Sequence, residues 1–162
     1  MENSEKIKAA VSLALGVKAD PFKPVKDFLY QVRDAKRGVD MIERRIEFRE
    51  EAIGAHGVSY SEYLPGGNDF NHSSVEDAVM ALDLLSRELQ DAESAYTDAK
   101  VTVSELIAKL PDVNHQVIIT KKYIDGMDWE KIALDMGMNV RTVQKHHGRA
   151  LPLLLEELES AA

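Results

Sequence analysis

The sequence predicts an all-α protein: a long antiparallel helical (coiled-coil) hairpin followed by a C-terminal three-helix helix-turn-helix domain. Apolar residues recur at alternating spacings of four and three through two long stretches, separated by a segment rich in Gly, Pro, Ser and Asn. The stretch Tyr123–Leu151 carries a small residue, a glycine and a polar outward face at the spacing of two short helices joined by a turn. Charged residues make up 30% of the 162-residue chain, a share that suits long solvated helices.

Residues 1–23 read as a short N-terminal helix and a linker. Ile7, Ala10, Val11, Ala14 and Leu15 sit at helical spacing and Gly16 ends the run. The following GVKADPFKP contains two prolines. Residues 24–110 read as the hairpin, with oligomerisation as its expected role. Its first seam runs Phe28, Val32, Ala35, Val39, Ile42, Ile46 and Ile53. A loop is expected over 54–73. The seam resumes at Ala78, Leu82, Leu85, Leu89, Ala92, Tyr96, Ala99, Val103, Leu106 and Leu110, longer than an ordinary globular helix. Ser73 and Glu76 form a capping-box pattern at its start, and Pro111 ends it.

Charge supports an antiparallel pairing. Residues 26–51 carry seven basic and seven acidic side chains, whereas residues 76–98 carry one basic and seven acidic. Arg37 and Arg45 are thereby expected to face Asp91 and Asp83 across the hairpin. Such exposed pairs choose register more than they add stability. Leu84 and Val79 remain as apolar flanks that want cover, which predicts a homodimer or higher homo-oligomer.

Residues 111–162 form the third part. Asp112 is placed to cap a helix bearing Val117, Ile118 and Tyr123, which ends at Asp125–Gly126. Asp128 is placed to cap the next, where Trp129 is a core anchor and Ile132, Ala133 and Met136 give an apolar side. Gly137 tolerates the left-handed conformation of a tight helix exit. Asn139 then offers a side-chain oxygen to the free N–H groups of a last helix. Along it Val143 faces inward, while Arg141, Gln144 and Lys145 face outward, an arrangement that suits a helix placed in a major groove. Pro152 is expected to kink or restart the tail, where Leu153, Leu154, Leu155 and Leu158 need a partner.

Net charge is −8, yet Asn139–Ala150 holds three basic residues and no acid. The positive field is confined to one helix, with Lys121 and Lys122 as candidates to extend it. One copy is therefore expected to bind phosphates weakly. The chain has no cysteine, which excludes disulfides and thiolate metal sites. The acidic N-terminus is unlike a secretory signal, and no apolar run approaches the length that spans a bilayer. A soluble, cytoplasmic protein without a membrane partner is expected. No phosphate loop, nucleophile elbow or metalloprotease motif is present, so no enzyme and no cofactor are expected. The histidines are read as ordinary surface or packed side chains with no metal among them. His146, on the Val143 side, is expected to lie partly buried against the first helix of the pair, and neutral.

The segment LPDVNHQVIITKKYIDGMDWEKIALDMGMNVRTVQKHHGRAL resembles region four of bacterial sigma factors, the promoter-reading helix-turn-helix. The pieces that carry the likeness are LP, YIDG, WEKIA, MG, TV and RAL. Residues 24–158 also resemble ArpU/RinA-type late transcriptional regulators of phages and prophages, in which a helical hairpin precedes such a module ending in a run like His147–Leu151. The resemblance implies a phage or prophage transcriptional regulator in a bacterial host cell. It would bind double-stranded promoter or operator DNA, RNA polymerase, or both. It places groove-facing side chains at Val140, Arg141, Gln144 and Lys145 and a backbone contact at Arg149; Asn139, Thr142, Lys121 and Lys122 complete the candidate DNA-binding set. His146 departs from it by replacing an aliphatic residue, and Val140 by replacing a polar one. Two other readings stand beside it: a small-terminase-like packaging component, and a polymerase-binding protein that reads no bases.

Overall fold

The computed structural model describes residues 20–55 and 70–161, and all five helices among them are linked without strands. They are α1 (Lys23–Ala55), α2 (Phe70–Ala108), α3 (Val113–Ile119, extended by a π-helical turn Thr120–Ile124), α4 (Trp129–Met136) and α5 (Val140–Ala161). The expected helix Ser4–Leu15 and most of the expected loop lie outside the described residues. Two compact units are divided between Gln31 and Val32 and between Val101 and Thr102. One holds the middle of the hairpin. The other gathers the start of α1, the end of α2 and all of α3, α4 and α5.

In the hairpin unit, Val32, Val39 and Leu85 are buried, and Ile42, Ile46, Leu82, Leu89, Ala92 and Tyr96 are half-buried. These are seam positions, whereas Ile53, expected at the end of the first seam, is exposed at 44% near the last turn of α1. Lys36 lies over the Tyr96 ring at 5.9 Å, and Arg45 pairs with Glu88 at 3.1 Å. Moving up α1 from Lys36 to Arg45 thus moves down α2 from Tyr96 to Glu88, which makes the pair antiparallel. The expected ion pairs are corrected. Arg37 meets Asp34 at 3.2 Å and Asp83 meets Arg87 at 2.8 Å, each within its own helix. Partners three or four residues apart already lie on one face, so joining them orders less side chain than reaching across. Ser73 is also corrected: α2 begins at Phe70, so Ser73 lies inside the helix and not at its cap. Nothing in Phe70–His72 breaks a helix, and propagation continues through them. Leu84 and Val79 are each 60% exposed, as are the flanks Met41 and Phe48 to similar degree.

In the second unit, α1 opens on Asp20, whose carboxylate accepts from the Phe22 N–H at 3.0 Å and from Lys26 at 2.6 Å. The Lys26 ammonium, then the Phe22 N–H, hold that carboxyl below its ordinary pKa. Val25 and Leu29 of α1 and Val103, Leu106 and Ile107 of α2 are buried. The Gln116 side chain donates to the Leu110 carbonyl at 2.7 Å, which serves an acceptor that the end of α2 leaves free. Asp112 caps α3 as expected, accepting from the Asn114 N–H at 2.8 Å. The π-turn closes with the Asp125 N–H on the Thr120 carbonyl at 3.1 Å, a feature the sequence reading lacked.

Two helix ends differ from expectation. Asp128 precedes α4, but its side chain makes no capping bond; its carbonyl accepts from the Ile132 N–H at 3.0 Å. Pro152 neither stops nor restarts α5, which runs on to Ala161. The missing N–H would have met the carbonyl of Gly148, a residue on the exposed side of α5. Leu151 and Leu154, buried on either side of Pro152, hold the helix down. Leu153, Leu155 and Leu158 are half-buried, and Glu157 meets Lys109 at 3.3 Å.

Candidate nucleic-acid interface

The joint between α4 and α5 is set by backbone chemistry at three positions. Gly137 adopts φ 63° and ψ 31°, the left-handed conformation. It lets the Met138 N–H reach the Ala133 carbonyl at 2.9 Å and its own N–H reach the Leu134 carbonyl at 3.2 Å, a Schellman closure. Asn139 then caps α5: its side-chain oxygen accepts from the Thr142 N–H at 2.8 Å and the Thr142 hydroxyl at 2.9 Å. Val143 is fully buried in a cluster with Ile118, Ile132 and Ala133. Trp129, Met136, Met138 and Val140 pack on that cluster's edge.

With Val143 turned in, the opposite side of α5 is turned out. Arg141, Gln144, Lys145 and Arg149 are exposed. Helical geometry makes this one strip, because residues three and four apart share a face. The strip carries hydrogen-bond donors, an amide and positive charge with no acid among them. The chemistry suits phosphate oxygens and the acceptor edges of bases.

The other candidate positions are engaged within the unit. Val140 is partly buried against the core cluster. Asn139 and Thr142 serve the helix cap. Lys121 is three-quarters buried and pairs with Asp135 at 3.0 Å. Lys122 donates to the Met127 carbonyl at 3.4 Å and lies 4.5 Å over the Trp129 ring.

Behind the strip lies a packed aromatic group. Tyr123 meets Tyr30 edge-on at 5.0 Å and His147 in a stacked arrangement at 5.8 Å. Its hydroxyl is 2.9 Å from His147 Nε2. Trp129 meets the same imidazole edge-on at 5.0 Å. Burial, then the charges of Lys26 and Lys122, lower the His147 pKa to about 4. Burial, then Tyr30 and Asp20, raise that of Tyr123. The phenol therefore keeps its proton and the imidazole is neutral, so a single proton is shared across the 2.9 Å contact between the hydroxyl and Nε2.

His146 is half-buried, as expected, but its ring neighbour is His115 of α3, at 5.4 Å between centroids. Donor atoms of Asp112, His115 and His146 lie within 4.8 Å of one another. Sequence spacing gave no sign of this, since thirty residues separate His115 from His146 and only the packing of α3 against α5 joins them.

Among the described residues, no helix is long and apolar enough to cross a membrane. No curated protein and no solved structure matches the chain. Residues 100–154, from the end of α2 through most of α5, match the family model for sigma-70, region 4. This part of the chain is a sigma-70 region-four-like helix-turn-helix.

Proposed function

We propose that this protein is a phage or prophage transcriptional regulator that acts in the host cytoplasm. In this reading it binds promoter DNA through α5 and is a promoter-level activator, not an enzyme. The exposed strip Arg141–Gln144–Lys145 carries the proposal. It stands on a helix whose rotation is fixed by the Gly137 closure, the Asn139 cap and the buried Val143. A side chain reads a base edge only if its helix is held in one orientation, and these three features hold it. Region four of sigma factors supplies the likeness to promoter recognition, and RNA polymerase is the natural second partner.

In this reading residues 111–162 carry the DNA contacts and residues 24–110 set the oligomeric state. Arg141 and Lys145 donate to base edges, Gln144 donates and accepts there, and Arg149 meets the backbone. The exposed apolar side chains Met41 and Phe48 on α1 and Val79, Met80 and Leu84 on α2 are what a second copy would cover. Two linked modules would offset the weak grip of one basic helix on a chain of net charge −8.

The test is a footprint of the full-length protein on the DNA upstream of its neighbouring genes, with and without host polymerase. Protection of a discrete site, lost in Arg141→Ala, is the expected result. Protection that needs polymerase and survives Arg141→Ala would assign α5 to polymerase and remove base reading. No protection under either condition would overturn the proposal.

A further inference from the structure

We propose that Asp112, His115 and His146 form a binding site for one divalent metal ion of the zinc class. Their donor atoms lie within 4.8 Å of one another, on two elements that tertiary packing brings together. Asp112 comes already oriented, because one of its oxygens accepts from the Asn114 N–H as the cap of α3. Its other oxygen stands 3.6 Å from His115 Nε2, too far for a hydrogen bond between them. The Nδ1 atoms of both His115 and His146 are buried without a hydrogen-bond partner. His115 itself is 8% exposed. A buried imidazole nitrogen with no partner is costly, and a cation bound through the two Nδ1 atoms would give each of them one.

The donor set selects the metal. Two imidazoles and one carboxylate suit zinc and its borderline neighbours, whereas calcium and magnesium ask for oxygen alone. Three protein ligands leave a fourth, tetrahedral position to water. Zinc–ligand bonds of about 2.0–2.1 Å place tetrahedral donors about 3.4 Å apart. Binding therefore draws the donors, now within 4.8 Å of one another, together by at most about 1.4 Å, within reach of side-chain rotation. The ion would fasten α5 to the start of α3, one residue beyond Lys145. Only the folded unit assembles the site, so metal should stabilise it.

The test uses the full-length protein stripped with a chelator, then titrated with zinc chloride by calorimetry and followed by thermal unfolding. One ion should bind per chain with a rise in melting temperature, and cobalt(II) should give the visible absorption of a tetrahedral site. Asp112→Asn preserves the helix cap while removing the charged ligand. Asp112→Asn and His146→Gln should each weaken binding by at least the roughly 10–100-fold that loss of an outer-sphere partner costs. His72→Gln should leave it unchanged. Circular dichroism of Asp112→Asn separates lost binding from lost folding. The proposal is overturned if zinc does not bind, or if it binds with the same affinity in a folded Asp112→Asn and in His146→Gln.

Discussion

Acidification should weaken the unit that holds His147 before any carboxylate titrates in its ordinary range. The folded imidazole has a pKa of about 4, lowered first by burial and then by Lys26 and Lys122. In the unfolded chain the same group takes a proton near pH 6.5. Between those values the unfolded state binds the proton and the folded state does not. The stabilising contribution is therefore complete above pH 6.5, declines as pH falls, and is gone below about 4. For a fully insulated group the loss between pH 7.5 and 5 is about 2 kcal/mol. His147 is half-buried, and solvent screening brings the expected loss to about 1–2 kcal/mol. In a chain of this size that is roughly 2–8 °C of melting temperature.

The comparison that isolates His147 is the pH dependence of unfolding in wild type against His147→Gln. The variant should start lower at pH 7.5, having lost the imidazole packed between Tyr123 and Trp129. Its stability should then fall less steeply between pH 6.5 and 4. Proton NMR of the His147 ring gives the direct reading. A midpoint near 6.5, or parallel stability curves for the two proteins, would refute the argument, because either means that the folded imidazole charges as readily as the unfolded one.

Two glycines of the helix-turn-helix should respond oppositely to alanine. Gly137→Ala meets no steric obstacle but must hold φ 63°, so it should cost about 1–2 kcal/mol in denaturant unfolding. Gly148→Ala sits in open space within α5 and should add about 0.5–1 kcal/mol by the same measurement. Phe48, 73% exposed, should contribute to self-association: Phe48→Ser should shift the assembly toward monomer in sedimentation while leaving the helical content unchanged. An unaltered sedimentation profile would move the interface elsewhere.

The sequence carried most of the backbone plan, because local chemistry determined it. The four-three spacing of Val32, Val39, Leu82 and Leu85 needed only the helical period, and Asp112, Gly137 and Asn139 act within four residues of themselves. What escaped depended on distance or competition. Arg45 had several acids within plausible reach, and only the register of the hairpin selected Glu88. Pro152 carries a local signal to stop, and the buried leucines on either side outweigh it. Of the two adjacent histidines, the sequence singled out only His146, on the Val143 side, and carried no sign of the burial of His147. His146 turns toward His115, while His147, one position on, turns into the aromatic group around Tyr123. A rotation of a third of a turn separates a candidate metal ligand from a neutral imidazole held in packing.

Lysine position bears on the salt dependence of DNA binding. The sequence offered five basic residues in or near the helix-turn-helix interface: Arg141, Lys145, Arg149, Lys121 and Lys122. The structure leaves the first three exposed, pairs Lys121 with Asp135 and seats Lys122 over Trp129. If each free cation meets one phosphate, the logarithm of the binding constant should fall with the logarithm of salt at a slope of about −2.7 per copy. Recruitment of both lysines would steepen it to about −4.5. Lys122→Ala should therefore leave the slope where it was and instead lower stability by about 0.5–2 kcal/mol, the worth of a half-buried cation–π contact. Lys145→Ala should do the reverse, flattening the slope by about 0.9 if its contact is to phosphate. If it reads a base edge, the loss is about 1–3 kcal/mol with relaxed sequence preference. Binding isotherms at four or more salt concentrations separate these cases. A slope that flattens in Lys122→Ala would mean that DNA draws the lysine off the Trp129 ring, and the interface would then extend from α5 back to the π-turn.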